Sequence, residues 1–200
     1  MQYLRKDGVA LLSERNHLAR IRSAGRWLVL LLSLLAALPA QNGTSMPEDE
    51  IKAAFLFSFA KFIEWPARVG DDALVMVVLA RDSFASTLER TVRGKTVNGR
   101  PLIVKRLAKP QEARGCHVVF IGGGDQTRSR PILDALPVVG VLTVGEAEQF
   151  AVRGGVITFV KDANRLRFEI NVDAAGRAGL RISSRLLQLA RVVHDEVVER

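Results

Sequence analysis

The 200-residue sequence predicts an α/β fold: a single three-layer α/β/α domain with a mostly parallel sheet and a C-terminal antiparallel hairpin. Three observations carry this. Short apolar runs such as "ALVMVVLA" (73–80) and "CHVVFIG" (116–122) suit strands covered on both faces. Segments of helical periodicity alternate with them over short connections, the signature of a largely parallel sheet. Near the end, "GVITFVKDANRLRFEINV" reads as two alternating strands turning at Asp162-Ala163-Asn164.

The elements follow in order. "IKAAFLFSFAKFIEWP" (51–66) concentrates five aromatics in a chain otherwise poor in them. Pro47 suits a first helical turn, and Glu48, Asp49 and Glu50 complement the positive end of the helix dipole. At 100° per residue Ile51, Phe55, Phe59 and Phe62 share one stripe, read as a core face, with Leu56 and Ile63 on its flank. Phe57 lies opposite, beside Ala53, Ala54 and Ala60, whose small side chains would let a second element cover that face. Pro66 stops the helix and pushes Trp65 toward an extended conformation. The run 73–80 is the first strand. A helix follows, capped by Asp82 or Ser83, with Phe84, Leu88 and Val92 at helical spacing. "VNGR" (97–100) is an Asn-Gly turn into the strand "PLIVKRL". "CHVVFIG" and "GVLTVG" (140–145) are strands separated by a helix at "TRSRPILDAL". "EAEQFAVRG" suggests a short helix, and "ISSRLLQLARVVHDEVV" a last one capped by Ser183 or Ser184.

The N-terminus has a different character. Arg15, Arg20, Arg22 and Arg26 precede an uncharged apolar run, Trp27 to Leu38, ending in Pro39-Ala40. A basic region, a short apolar stretch and a small residue define a secretory signal peptide, here residues 1–40. The run is too short for a membrane span, which needs about 20 apolar residues. Residues 41–50 form a flexible polar lead-in, and the domain occupies 51–197. Beyond residue 40 the charge is modest, with 23 basic and 19 acidic side chains. No like-charge run or basic–aromatic interleaving marks a nucleic-acid surface.

The search for chemistry finds little. Cys116 is the only cysteine, so no internal disulfide can form, and its neighbour His117 would point to the opposite face of a strand. A buried small hydrophobe is the expected reading, with His117 structural and His194 suited to a helix C-terminus. No metal-ligand spacing, nucleophile elbow or carboxylate constellation stands out, so no metal, cofactor or catalytic residue is expected. The loop Gly122-Gly123-Gly124-Asp125, between a buried strand and a helix, could bring backbone amides to an anion, though it lacks the full phosphate-loop pattern. In "RLRFEINV", Arg165, Arg167, Glu169 and Asn171 alternate with Leu166, Phe168 and Ile170. That outward row could be a solvated strand face or a recognition surface on an edge strand.

The stretches "IKAAFLFSFAKFIEWP", "GKTVNGRPLIVKRL", "CHVVFIG", "VLTVGE", "RLRFEIN" and "AGLRISSRLLQLARVV", in this order from Ile51 to Val193, resemble the YfiR family. The resemblance implies a periplasmic, non-catalytic α/β protein. Such proteins restrain an inner-membrane diguanylate cyclase by binding its periplasmic sensory domain, which lowers cyclic di-GMP and disfavours biofilm. Other members accompany two-component or chemosensory membrane proteins, so a small-molecule-binding accessory role is the alternative. The best-studied members carry extra cysteines able to form disulfides, with a redox-responsive role; a switch through an internal disulfide does not carry over to a chain with Cys116 alone. On this reading the partner surface comprises Arg165, Arg167, Glu169 and Asn171, extended by Arg181 and Arg185. Phe57 and Trp65 are candidates for a dimer or partner contact.

Overall fold

A computed structural model describes residues 47–66, 72–80, 82–124, 126–137, 139–163 and 165–196. The expected leader, most of the lead-in, Asp125 and Asn164 lie outside the described residues. Helix α1 (Glu48–Phe62) leads through β1 (Ile63–Glu64) to β2 (Leu74–Leu79), α2 (Asp82–Val92), β3 (Thr96–Val97) and β4 (Arg100–Arg106). A 3-10 turn (Pro110–Glu112), β5 (Val118–Ile121), α3 (Gln126–Ala135) and β6 (Leu142–Gly145) follow. The chain ends with β7 (Ile157–Asp162), β8 (Arg165–Asn171), α4 (Val172–Arg177), β9 (Arg181–Ile182), α5 (Ser184–Leu187) and β10 (Arg191–Val193).

Among the described residues eight strands form one sheet in the order β10-β8-β7-β6-β5-β2-β4-β3, and β1 pairs with β9 apart from it. Strands β4, β2, β5, β6 and β7 run parallel. The alternation in 157–171 gives the expected antiparallel hairpin, with Asp162 opposite Arg165 and Ile157 opposite Ile170. At the other edge Asn98 (φ 53°) and Gly99 (φ 78°) make the two-residue turn joining β3 and β4, the left-handed pair that an Asn-Gly dipeptide favours.

The sheet is covered on both faces, as the apolar runs predict. One face packs Leu74, Met76, Val78, Val118, Phe120, Leu142, Val144, Ile157 and Phe159 against α1 and α2. The other packs Val77, Val119 and Ile121 against Cys116, Leu136 and Phe150.

Three local expectations change. The buried stripe of α1 is Ala53, Leu56, Phe59 and Ala60, displaced from the Ile51–Phe55–Phe62 stripe. The two alanines let the helix approach the sheet closely. Phe55 is left half-buried at the side, edge-on to Phe168 with ring centroids 5.3 Å apart. Residues 146–155 form turns rather than a helix, because Phe150 must lie over Gly145 and Gly155. A Cβ on Gly155 would sit 2.1 Å from that ring. The C-terminal helix is only one turn, capped by Ser183 accepting from the Leu186 N–H, after which the chain extends into β10. The paired valines Val192 and Val193 fit a sheet edge, and Arg191 lies opposite Glu169 of β8.

Candidate functional site

The expected partner surface divides in the fold. Arg165 and Arg167 are exposed at the β7–β8 hairpin, where Arg167 Nε pairs with Asp162 Oδ2 at 2.9 Å. Glu169 and Asn171 do not belong to that surface: they are 4% and 0% exposed. The cause is topological. β8 is no edge strand, since β10 lies parallel against it. Glu169 is ion-paired to Arg191. Asn171 donates from Nδ2 to the Ala151 carbonyl (2.7 Å) and to Asp195 Oδ1 (2.9 Å). Its own Oδ1 accepts from the Ala174 N–H at 2.9 Å and so caps α4. Arg177 donates to Asp195 at 3.0 Å, and that guanidinium holds the carboxyl below the ordinary aspartate range. His194 Nδ1 lies 3.0 Å from Asp173. The C-terminal segment is thus clasped to the domain by side chains that periodicity marks as a free face.

Arg181 and Arg185 are exposed but stand elsewhere. Arg181 lies on β9, 3.6 Å from Glu64 just past the C-terminus of α1. The hairpin adjoins the helix N-terminus, where Lys161 Nζ is 2.7 Å from Glu48. The 15 residues of α1 separate the two ends by about 22 Å at 1.5 Å per residue. The structure therefore separates the exposed arginines into two groups. Leu189, 72% exposed, and Val192, 44% exposed, follow Arg181 and Arg185 in the chain.

Phe57 and Trp65 are both engaged within the chain. Lys95 Nζ sits 4.4 Å from the centroid of the half-buried Phe57 ring. Trp65 donates from Nε1 to the His117 carbonyl at 3.1 Å and stands edge-on to the His117 ring. His117 Nδ1 accepts from the Val75 N–H at 3.2 Å, a structural bond between neighbouring strands. Cys116 is buried, its thiol donating to the Ala113 carbonyl at 2.9 Å.

The glycine loop already holds an anion, and it comes from the protein. Gly123, at φ +85°, donates its N–H to Glu146 Oε2 at 2.7 Å. The other Glu146 oxygen lies 2.5 Å from Lys52 Nζ, which is also 2.5 Å from Glu48. The side chain of Lys52 is only 10% exposed. Burial alone would lower its pKa, but the hydrogen bonds it donates to Glu146 and Glu48 win and raise it. Lys161 and then Lys52 hold the Glu48 carboxyl below its ordinary value. Beside the loop, Leu79, Ala80, Phe84 and Phe120 line a cavity of about 350 Å³ with Arg128 and Glu146 at its margin. It opens at the carboxyl ends of β2 and β5, where the strand order reverses, the usual position of ligand crevices in open α/β sheets.

A larger cavity, about 580 Å³, escaped the sequence reading. Val141, Val156 and Ala178 floor it, and Arg130, Arg177 and Asp195 stand at its rim. Its lining comes from four separated segments, which no local pattern joins. Among the described residues no group of three His, Cys, Asp or Glu side chains is placed to hold a metal.

The comparison with known families decides what kind of protein this is. The YfiR/HmsC-like family profile matches residues 49–191. The chain belongs to the YfiR/HmsC-like family. At family level these are periplasmic regulators of diguanylate cyclase activity rather than enzymes, acting with a membrane signalling protein. Among the described residues no helix is long and apolar enough to cross a membrane. Among solved structures, a conserved domain protein from Vibrio cholerae O1 biovar El Tor is similar in fold, with a TM-score of 0.52 at 14% identity. The match covers 72% of this chain and 60% of that one, so this chain spans less than two thirds of its length. An ABC domain in complex with L-Trp from Streptococcus pneumonia is a looser likeness, with a TM-score of 0.44 at 10% identity over the same shares.

Proposed function

We propose that this YfiR-like protein is exported by its N-terminal leader and represses an inner-membrane signalling protein, a diguanylate cyclase, by binding the periplasmic sensory domain. The family match over 49–191 is the observation that carries the reading. Repression then requires only that the regulator bind the inactive state of the sensor more tightly than the active one. The contact surface follows from the exposed arginines. Arg181 and Arg185, with the bare Leu189 and Val192, combine charge with apolar area; Arg165 and Arg167 supply a second patch at the hairpin. Glu169 and Asn171 support the β8–β10 junction instead. Charge reversal tests this: Arg181→Glu with Arg185→Glu should raise cellular cyclic di-GMP while the protein accumulates normally. Full repression by that variant and by Arg167→Glu would remove this surface from the account.

A second reading, a small-molecule-binding accessory of a two-component or chemosensory system, draws on the 350 Å³ crevice at the strand-order reversal. A thermal-shift screen with organic anions and amino acids tests it. Stabilisation lost in Phe84→Ala supports the crevice; the absence of any stabilising compound counts against it.

A further inference from the structure

The two ends of the sheet differ in charge and in how their edges are closed. Residues 93–109, which form the β3–β4 end, contain Arg93, Lys95, Arg100, Lys105, Arg106 and Lys109 and no acidic residue. The rest of residues 41–200 holds 17 basic and 19 acidic side chains, so the positive excess of this part of the chain resides at one sheet edge. The basic residues are interleaved with apolar ones in the sequence, and only folding gathers them along one strand and its flanking turns.

That edge is also open. β3 covers β4 only at Arg100 and Pro101. The Leu102 N–H reaches outward to the Lys95 carbonyl at 3.3 Å, while the Leu107 N–H points inward to the Val78 carbonyl at 3.3 Å. Hydrogen-bonding direction alternates along a strand, so the Val104 N–H and C=O and the Arg106 N–H face outward. Among the described residues no strand pairs with β4 beyond Pro101 on that side. Leu102 to Arg106 gives about 16 Å of edge, enough for a strand of ordinary length. Ile103, on this stretch, is 43% exposed.

From this edge we infer a second docking surface, on which an extended, acidic segment of a partner protein adds a strand to β4. Backbone bonds to Val104 and Arg106 would supply affinity, as in other strand-addition complexes, and the cations would select an acidic sequence. A second copy of this chain is the wrong occupant, because antiparallel β4–β4 pairing brings two cation-rich edges together, even with Arg106 of each paired to Glu89. Lysine on an open edge also discourages such self-pairing. This surface lies at the opposite end of the eight-stranded order from β10, and its test needs no cyclase, so it stands or falls apart from the repression contact.

The test uses the protein purified after export and a blocked hexapeptide of alternating valine and glutamate, followed by amide NMR. Saturable shifts and slowed exchange at Val104 and Arg106 are expected, with at least tenfold weaker binding at 0.3 M than at 0.05 M salt. The valine–lysine peptide should not bind. Val104→Pro, which deletes the outward donor, should weaken binding at least tenfold, and Lys105→Glu about threefold or more. Should Val104→Pro fail to fold, Lys105→Glu with Lys109→Glu decides. Shifts confined to other strands, or equal affinity in these variants, overturn the proposal. So does binding to phosphatidylglycerol vesicles without peptide binding, which would make the edge a lipid-facing surface.

Discussion

Removing the side chain of Asn171 should measurably destabilise the domain, although periodicity places that residue on a free face. The magnitude follows from its bonds. Loss of the cap on α4 costs about 1 kcal/mol. The Ala151 carbonyl, in a residue with no exposed surface, loses its 2.7 Å donor but keeps the Gly154 N–H at 3.1 Å, so the loss is that of one hydrogen bond, roughly 0.5–1.5 kcal/mol. Asp195 loses one of the donors that hold it in place. Asn171→Ala should therefore cost about 2 kcal/mol. With urea slopes of roughly 1–3 kcal/mol/M, the midpoint should fall by about 0.7–2 M. Asn171→Asp sharpens the test. It keeps the cap but replaces two N–H donors with a carboxylate facing the Ala151 oxygen and Asp195, so it should lose about as much. A midpoint within about 0.3 M of wild type for either variant would refute the buried-junction argument and return Asn171 to the surface.

Gly155→Ala should destabilise by about 1–3 kcal/mol, since its Cβ meets the Phe150 ring at 2.1 Å; an unchanged denaturation midpoint contradicts this packing. Glu146→Gln removes one partner of the buried Lys52 and should cost about 1–3 kcal/mol by the same measurement, with Glu48 retaining part of the pairing. Acidification should weaken the fold through Glu48 and Asp195. Both are depressed in the folded state, so their stabilisation is complete above the unfolded values near about 4 and is lost as pH falls through the folded ones. Lys52, raised in the folded state, contributes below its unfolded value near about 10 and loses that contribution as pH rises further. A pH series of thermal melts should thus show a plateau with decline at both ends; constant stability below about pH 4 would contradict the assignment. Finally, the buried Cys116 thiol should react with an aromatic disulfide reagent only in denaturant, and rapid reaction in buffer would place it elsewhere.

The sheet was readable because apolar runs and turn dipeptides are local signals. Asn98-Gly99 and the Asp162–Arg165 turn each specify their hairpin within a few residues. What escaped depends on pairing between distant segments. Alternation in 165–171 assigns side chains to two faces, but it does not reveal whether another strand lies alongside. Here β10, some twenty residues later, turns half of an apparent outer row into a buried junction. The last helix was misjudged for the same reason, since a sheet edge competes for Arg191–Val193 with a periodicity that suits either state. In α1 the periodicity identified a helix but displaced its buried stripe, because close approach by Ala53 and Ala60 outweighed the size of Phe55. The glycine loop follows a strand and precedes a helix, yet the anion on Gly123 is Glu146, twenty-three residues beyond it. As a site, the protein's surface was legible only in part: Arg165 and Arg167 stay outward, whereas Arg181 and Arg185 fall at the far end of α1.

The regulatory account meets its most direct test in cellular cyclic di-GMP, measured by mass spectrometry after deletion of the gene in its own host. Deletion should raise the nucleotide level severalfold, the full-length chain should restore it, and a chain lacking residues 1–40 should not. An unchanged level on deletion, or equal restoration by the leaderless chain, would contradict a repressor acting from outside the inner membrane.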